Sequence, residues 1–142
     1  MYQKIIIAGN LGRDPEMRYI PSGQAVCNFS VATNRQYTNS EGQQIKETTW
    51  FRISAWGRLA EICNQYLRTG SRVLVEGRLV ADPTSGGPRI WTRQDGSAGA
   101  SFEISASTVQ FLSTRADDQA YQQSGDYGAG PGMDAGDDDI PF

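Results

Sequence analysis

Thr48-Thr49-Trp50-Phe51-Arg52-Ile53-Ser54-Ala55-Trp56-Gly57 runs directly into Arg58-Leu59-Ala60-Glu61-Ile62-Cys63-Asn64-Gln65-Tyr66-Leu67-Arg68-Thr69-Gly70, and the change of rhythm at Gly57 decides the fold. Before Gly57 the apolar residues alternate. Successive side chains of a strand point to opposite faces, so Phe51, Ile53 and Ala55 share one side while Trp50, Arg52, Ser54 and Trp56 share the other. After Gly57, Leu59, Ile62, Cys63, Tyr66 and Leu67 follow the i, i+3, i+4, i+7, i+8 spacing of an amphipathic helix. Gly70 stands where a glycine C-terminal cap is expected.

Outward from this strand–helix unit the chain reads as short strands separated by turn residues. Tyr2 to Ala8 is an aliphatic strand, punctuated afterwards by Gly9, Gly12, Asp14 and Pro15. Ala25 to Asn34 alternates, with Cys27, Phe29 and Val31 facing the core, and Asn39-Ser40-Glu41-Gly42 forms a hairpin tip. Beyond the helix, a strand from about Arg72 to Val80 places Val73, Val75 and Leu79 inward, and a last strand spans about Ser101 to Leu112. Asp82 to Ala100 is too polar and too rich in Gly and Pro for a core, so it is a long loop or a projecting hairpin. Five strands with one short α-helix between the third and fourth make an all-β chain of OB-fold order, a five-stranded barrel whose exposed strand face and loops suit oligonucleotides or oligosaccharides.

The chain has 142 residues, no histidine and two cysteines. Histidine-based triads, bases and zinc sites are thereby excluded, and a four-thiolate metal site is out of reach. No metal, no cofactor and no enzymatic activity are expected. Cys27 and Cys63 lie on core faces and read as buried free thiols. Gly9 and Gly12 complete no phosphate-binding loop, and Asp14 and Glu16 read as solvated turn residues. The short apolar run after Met1 matches neither a signal peptide nor a membrane span, so a soluble cytoplasmic protein is expected.

Net charge is -3, but the charges are unevenly placed. All 13 Lys and Arg lie between Lys4 and Arg115 beside nine acids, a balance of +4, whereas residues 116–142 carry seven acids and no base. That acidic segment has almost no branched aliphatic residue before Ile140 and is expected to be disordered. Its end is different in kind. Asp137, Asp138 and Asp139 precede Ile140, Pro141 and Phe142, the composition of a peptide that docks in an apolar pocket ringed by cations.

Two tryptophans and an arginine on the outer side of one strand are what a single-stranded nucleic acid requires, because bases stack on rings and phosphates meet guanidinium groups without any particular base being demanded. Tyr37, beside the hairpin tip, and Trp91, in the 82–100 segment, could extend the stacking track. Burial of the tryptophans beneath that segment or in a subunit contact is the competing expectation. The other basic residues of the body, Arg13, Arg18, Arg35, Lys46, Arg72, Arg78, Arg89 and Arg93 among them, could together follow a phosphate backbone.

These residues resemble the bacterial single-stranded DNA-binding proteins. The resemblance rests on Gly-Asn-Leu-Gly-Arg-Asp-Pro-Glu-Met-Arg-Tyr at 9–19, Trp50 to Trp56, Gly-Arg-Leu-Ala-Glu at 57–61, Tyr-Leu-Arg-Thr-Gly-Ser at 66–71, Val-Glu-Gly-Arg-Leu at 75–79, and the terminal Asp-Asp-Asp-Ile-Pro-Phe. It implies an OB-fold DNA-binding domain over residues 1–114, assembled as a homotetramer, and an acidic tail over 115–142 whose tip recruits replication, recombination and repair proteins in the bacterial nucleoid. It further implies stacking by Trp50, Trp56 and Tyr37, and backbone contacts by Lys4, Arg52, Arg58 and Arg68. Val80 to Pro88 lengthens the hairpin relative to the family pattern, so Trp91 has no secure counterpart. A single-stranded RNA binder and an adaptor with a passive body remain alternatives, since stacking alone does not distinguish sugars.

Overall fold

In the computed structural model, which describes residues 1–113, the apolar runs lie edge to edge in one sheet that curls until its first strand meets its third. The elements in chain order are β1 (Ile5–Leu11), β2 (Glu16–Tyr19), β3 (Ala25–Thr38), β4 (Gln44–Trp56), α1 (Arg58–Tyr66), β5 (Arg72–Leu79), β6 (Ile90–Thr92), β7 (Ala98–Ala100) and β8 (Phe102–Phe111). Around the barrel the order is β1, β5, β8, β4, β3, and pairing of Asn10 with Ala32 and Leu11 with Val31 returns it to β1. Among the described residues only β4 and β8 run parallel. Closure brings two backbones so near that a Cβ on Gly9 would collide with the carbonyl of Ala32, so a glycine is required there.

The five long strands and the single helix follow the expected order, and β2 is an addition. β2 is four residues added to the outer edge of β3, too short to show a period, with Met17 alone turned toward the core. Of the two readings of 82–100, loop or projecting hairpin, the structure has the hairpin: β6 and β7 pair with each other and not with the barrel. The hairpin tip falls at 39–42, where Gly42 takes a φ of 77° and Asn39 Oδ1 accepts the N–H groups of Glu41 and Gln43.

Inside the barrel, Leu11, Cys27, Val31, Ile53, Val73, Val75 and Ile104 are fully buried, and α1 packs chiefly on β3 with Ala60 and Cys63 inward. The helix face differs from the expected one. Ala60, Cys63 and Leu67 are buried, Leu59 and Ile62 only partly, and Tyr66 is exposed against Phe111 at a centroid distance of 6.0 Å. Small residues at the contact let the helix approach the barrel closely, which rotates the bulkier ones to its flanks. Gly70 is not the helix cap. The helix ends at Leu67, whose backbone is extended, and Gly70 uses its φ of 86° in a separate turn in which Ser71 N–H donates to the carbonyl of Arg68 at 3.0 Å. Leu79 was expected inward and is 41% exposed: it lies beyond the bulge at Glu76/Gly77, at the end of β5. The expected tail, residues 115–142, and its tip lie outside the described residues.

Candidate functional site

The outer face of β4 is organised by its pairing. Trp50 stands opposite Ala32, Arg52 opposite Ser30, Ser54 opposite Asn28, and Trp56 opposite Val26. Paired residues point to the same side, so these rows stack along one face, with Trp50 and Trp56 about 20 Å apart at strand rise. Trp50 is 51% exposed and Trp56 41%. Within the chain, then, the 82–100 segment does not bury them.

The rows continue sideways onto neighbouring strands. Val26 pairs with Arg18 of β2, so Trp56, Val26 and Arg18 form one line across the sheet. Ser54 pairs with Ser105 of β8, which pairs in turn with Arg78 of β5. The result is a groove of about 440 Å³ walled by Trp56, Arg18, Arg52, Arg78 and Arg89, the last delivered by the loop that precedes β6. Its floor is polar: Ser54 Oγ donates to Asn28 Oδ1 at 2.9 Å. Glu103 is the acid on its wall, 4.0 Å from Arg52, whose guanidinium stays largely exposed. Among the described residues Arg18 and Arg78 have no ion-pair partner. Unpaired cations around an aromatic ring give the groove a positive field suited to a polyanion that carries flat groups.

Trp50 lines a second, shallower cleft with Gly12, Arg13 and Ser30. Trp91 lies across the β6–β7 hairpin against Gly99, with the Arg93 guanidinium beside it, and is distant in the pairing from the β4 face. Tyr37 belongs to the arm where β3 and β4 extend past the barrel. It pairs with Ile45, an odd number of positions from the Ala32–Trp50 pair, so it faces the side opposite Trp50. There the Arg35 guanidinium sits 4.6 Å over its ring and its hydroxyl donates to Glu47 Oε1 at 3.3 Å.

Of the expected phosphate-contacting cations, Arg52 alone lines the groove. Lys4 pairs with Glu76 at 3.2 Å, and Arg68 turns back to donate to the carbonyl of Leu67 at 2.6 Å. Arg58 is exposed at the first position of α1. The docking residues Asp137 to Phe142 lie outside the described residues. Arg18, Arg78 and Arg89 carry no local pattern that singles them out from the other basic residues. They meet because the strand order sets β8 between β4 and β5 and adds β2 to the edge of β3.

Asp14 is more than a solvated turn residue. Its Oδ1 accepts the Thr69 N–H at 2.8 Å and the Thr69 hydroxyl at 2.9 Å, and these bonds, with Arg68 nearby, hold its carboxyl below the usual carboxylate range. Cys27 and Cys63 are free and fully buried, and burial pushes their thiols up to about 11 and about 12. Among the described residues no three His, Cys, Asp or Glu converge as a metal site, and no helix is long and apolar enough to cross a membrane.

The model of the single-strand binding protein family matches residues 2–112. The chain is similar to a single-stranded DNA-binding protein of Wolinella succinogenes, 39% identical over 127 residues that cover 89% of this chain and 74% of that one. It is also similar to a single-stranded DNA-binding protein of Neisseria meningitidis, 41% identical over 112 residues, covering 79% of this chain and 60% of that one. The chain therefore spans about three-fifths of the Neisseria relative's length. Among solved structures, that of the Plasmodium falciparum SSB in complex with ssDNA superimposes with a TM-score of 0.66 at 27% identity, covering 80% of this chain and 97% of that one.

Proposed function

The chain belongs to the single-strand binding protein family, and from that membership and the β4 face we propose that it is a non-enzymatic protein that binds single-stranded DNA without sequence preference. The observation that carries this reading is the pair Trp50 and Trp56, exposed on one strand face beside a groove walled by Arg18, Arg52, Arg78 and Arg89. Rings offer a π surface to any base, and guanidinium groups meet the phosphates that every sequence shares. Neither contact reads base edges, so affinity without sequence preference follows from the chemistry.

The reading extends to a homotetramer that coats and protects strands during replication, recombination and repair, with Asp137 to Phe142 recruiting partner proteins. Arg58, exposed beside Trp56, suits a further phosphate contact. Lys4 and Arg68 would first have to exchange their present partners for phosphate oxygens. The test is a titration of the full chain with oligo(dT) at low and high salt, followed by tryptophan emission. Strong quenching that saturates at a fixed nucleotide count, with affinity falling as salt rises, is the expected result. A folded protein whose emission does not change would sink the reading, and competition by a matched RNA oligomer would show whether the sugar is distinguished.

A further inference from the structure

Gly12 follows β1 immediately, is exposed, and is held in place by its N–H, which donates to the Ser30 carbonyl at 3.2 Å. A Cβ added to it would lie 2.5 Å from Cζ3 and 2.6 Å from Cη2 of Trp50, and the three nearest atoms all belong to that ring. The contrast with Gly9, three residues earlier, is instructive. There a Cβ would strike the Ala32 backbone, so Gly9 serves barrel closure, whereas the atoms crowding Gly12 belong to one surface side chain. Gly12 is also absent from the positive-φ glycines, so alanine carries no backbone strain at this position. The bare α-carbon of Gly12 thus has no role in the backbone path that alanine could not fill. What alanine cannot do is leave room for the indole.

We propose that Gly12 is a positioning residue for strand binding: it is the seat against which the Cζ3–Cη2 edge of the Trp50 indole rests, leaving the faces of the ring for a base. Half exposure of Trp50 fits a ring held at one edge, and the cleft that Trp50 shares with Gly12, Arg13 and Ser30 places a cation beside it. A ring with one edge supported loses less rotamer freedom when a base stacks on it than a ring free to swing. Any side chain at position 12 lifts the indole from its seat and gives that advantage up. The inference rests on the stacking reading above for its consequence, but not for its geometry.

The test is a double-mutant cycle on the full chain with Gly12→Ala, Trp50→Ala and the double variant, each measured for oligo(dT) affinity and thermal midpoint. Gly12→Ala is expected to lower affinity about fivefold to tenfold, at the low end of the range of one stacked base, to leave the thermal midpoint near wild type, and to have no further effect once Trp50 is gone. Equal losses from Gly12→Ala with and without Trp50, or no loss at all while Trp50→Ala binds weakly, would overturn it. Proton NMR of the DNA-free protein gives an independent readout that survives misfolding of the alanine variant. Gly12 Hα resonances in the wild type should be displaced by the ring current and return to ordinary values in Trp50→Ala. Undisplaced resonances would refute the seat. Wild-type protein that fails to bind oligo(dT) would refute the stacking reading and the positioning role with it, and the spectrum would still report whether the ring rests on Gly12.

Discussion

Trp56 sits in line with Val26 and Arg18 and shares its groove with Arg52, so a base resting on its open surface would have guanidinium groups on two sides. Replacing Trp56 with Ala removes the ring and leaves the barrel, since the side chain is outside the core. The expected cost is about 1–3 kcal/mol for the stacked base, roughly one to two decades of affinity. Titration curves that overlay wild type at several salt concentrations would show that Trp56 does not stack. Arg78 offers a different signature because no carboxylate among the described residues pairs with it. Arg78→Ala should reduce the steepness of log affinity against log salt by about 0.7, the share of one phosphate on a single strand. An affinity loss with an unaltered slope would take Arg78 off the phosphate track.

Between elements, the Asp14–Thr69 bonds tie the β1–β2 loop to the segment after α1, across 55 residues of sequence. Asp14→Ala should destabilise the barrel by on the order of 1 kcal/mol once solvent screening of this exposed carboxylate is allowed for. The pH dependence follows from the direction of the shift. The folded carboxyl titrates below its unfolded value of about 3.9, so its contribution is fully present above that value and is lost as pH falls through the lower folded one. Denaturant unfolding of both proteins should show a constant difference at neutral pH that closes in acid below about pH 4. A difference that persists unchanged at pH 2 would mean that Asp14 acts through something other than its charge. The β6–β7 hairpin is an element of another kind, a two-stranded ribbon with no further strand partner among the described residues, stapled by Trp91 across Gly99.

At the scale of the whole chain the balance of charge is divided, +4 over residues 1–115 and seven uncompensated acids after them. A polyanionic strand and an acidic segment repel, and the positive groove attracts both. Removing residues 116–142 should therefore leave oligo(dT) affinity equal or higher, most visibly at low salt, while binding of proteins that recognise the Asp137–Phe142 tip disappears. Loss of DNA binding in the truncated chain would overturn that division of labour.

The strand–helix unit around Gly57 was legible because both halves have strong periods, and the β4 face because alternation alone sorts Trp50, Arg52 and Trp56 from Phe51, Ile53 and Ala55. Buried free thiols at Cys27 and Cys63 were legible for the same reason. The inward face of α1 was not, since Ala60 scores weakly as an apolar residue yet is the one small enough for the contact. The face that Tyr37 occupies was not legible either, because it depends on the register of a ladder thirteen pairs long. Sequence by itself determined the composition of the stacking strand, the order of elements and the segregation of charge, all properties of neighbours along the chain. Only the tertiary structure decided that Arg18, Arg78 and Arg89 meet at Trp56 and that Gly12 lies against the edge of Trp50. Those contacts are set by barrel closure and strand register, which depend on pairing between residues far apart in the chain.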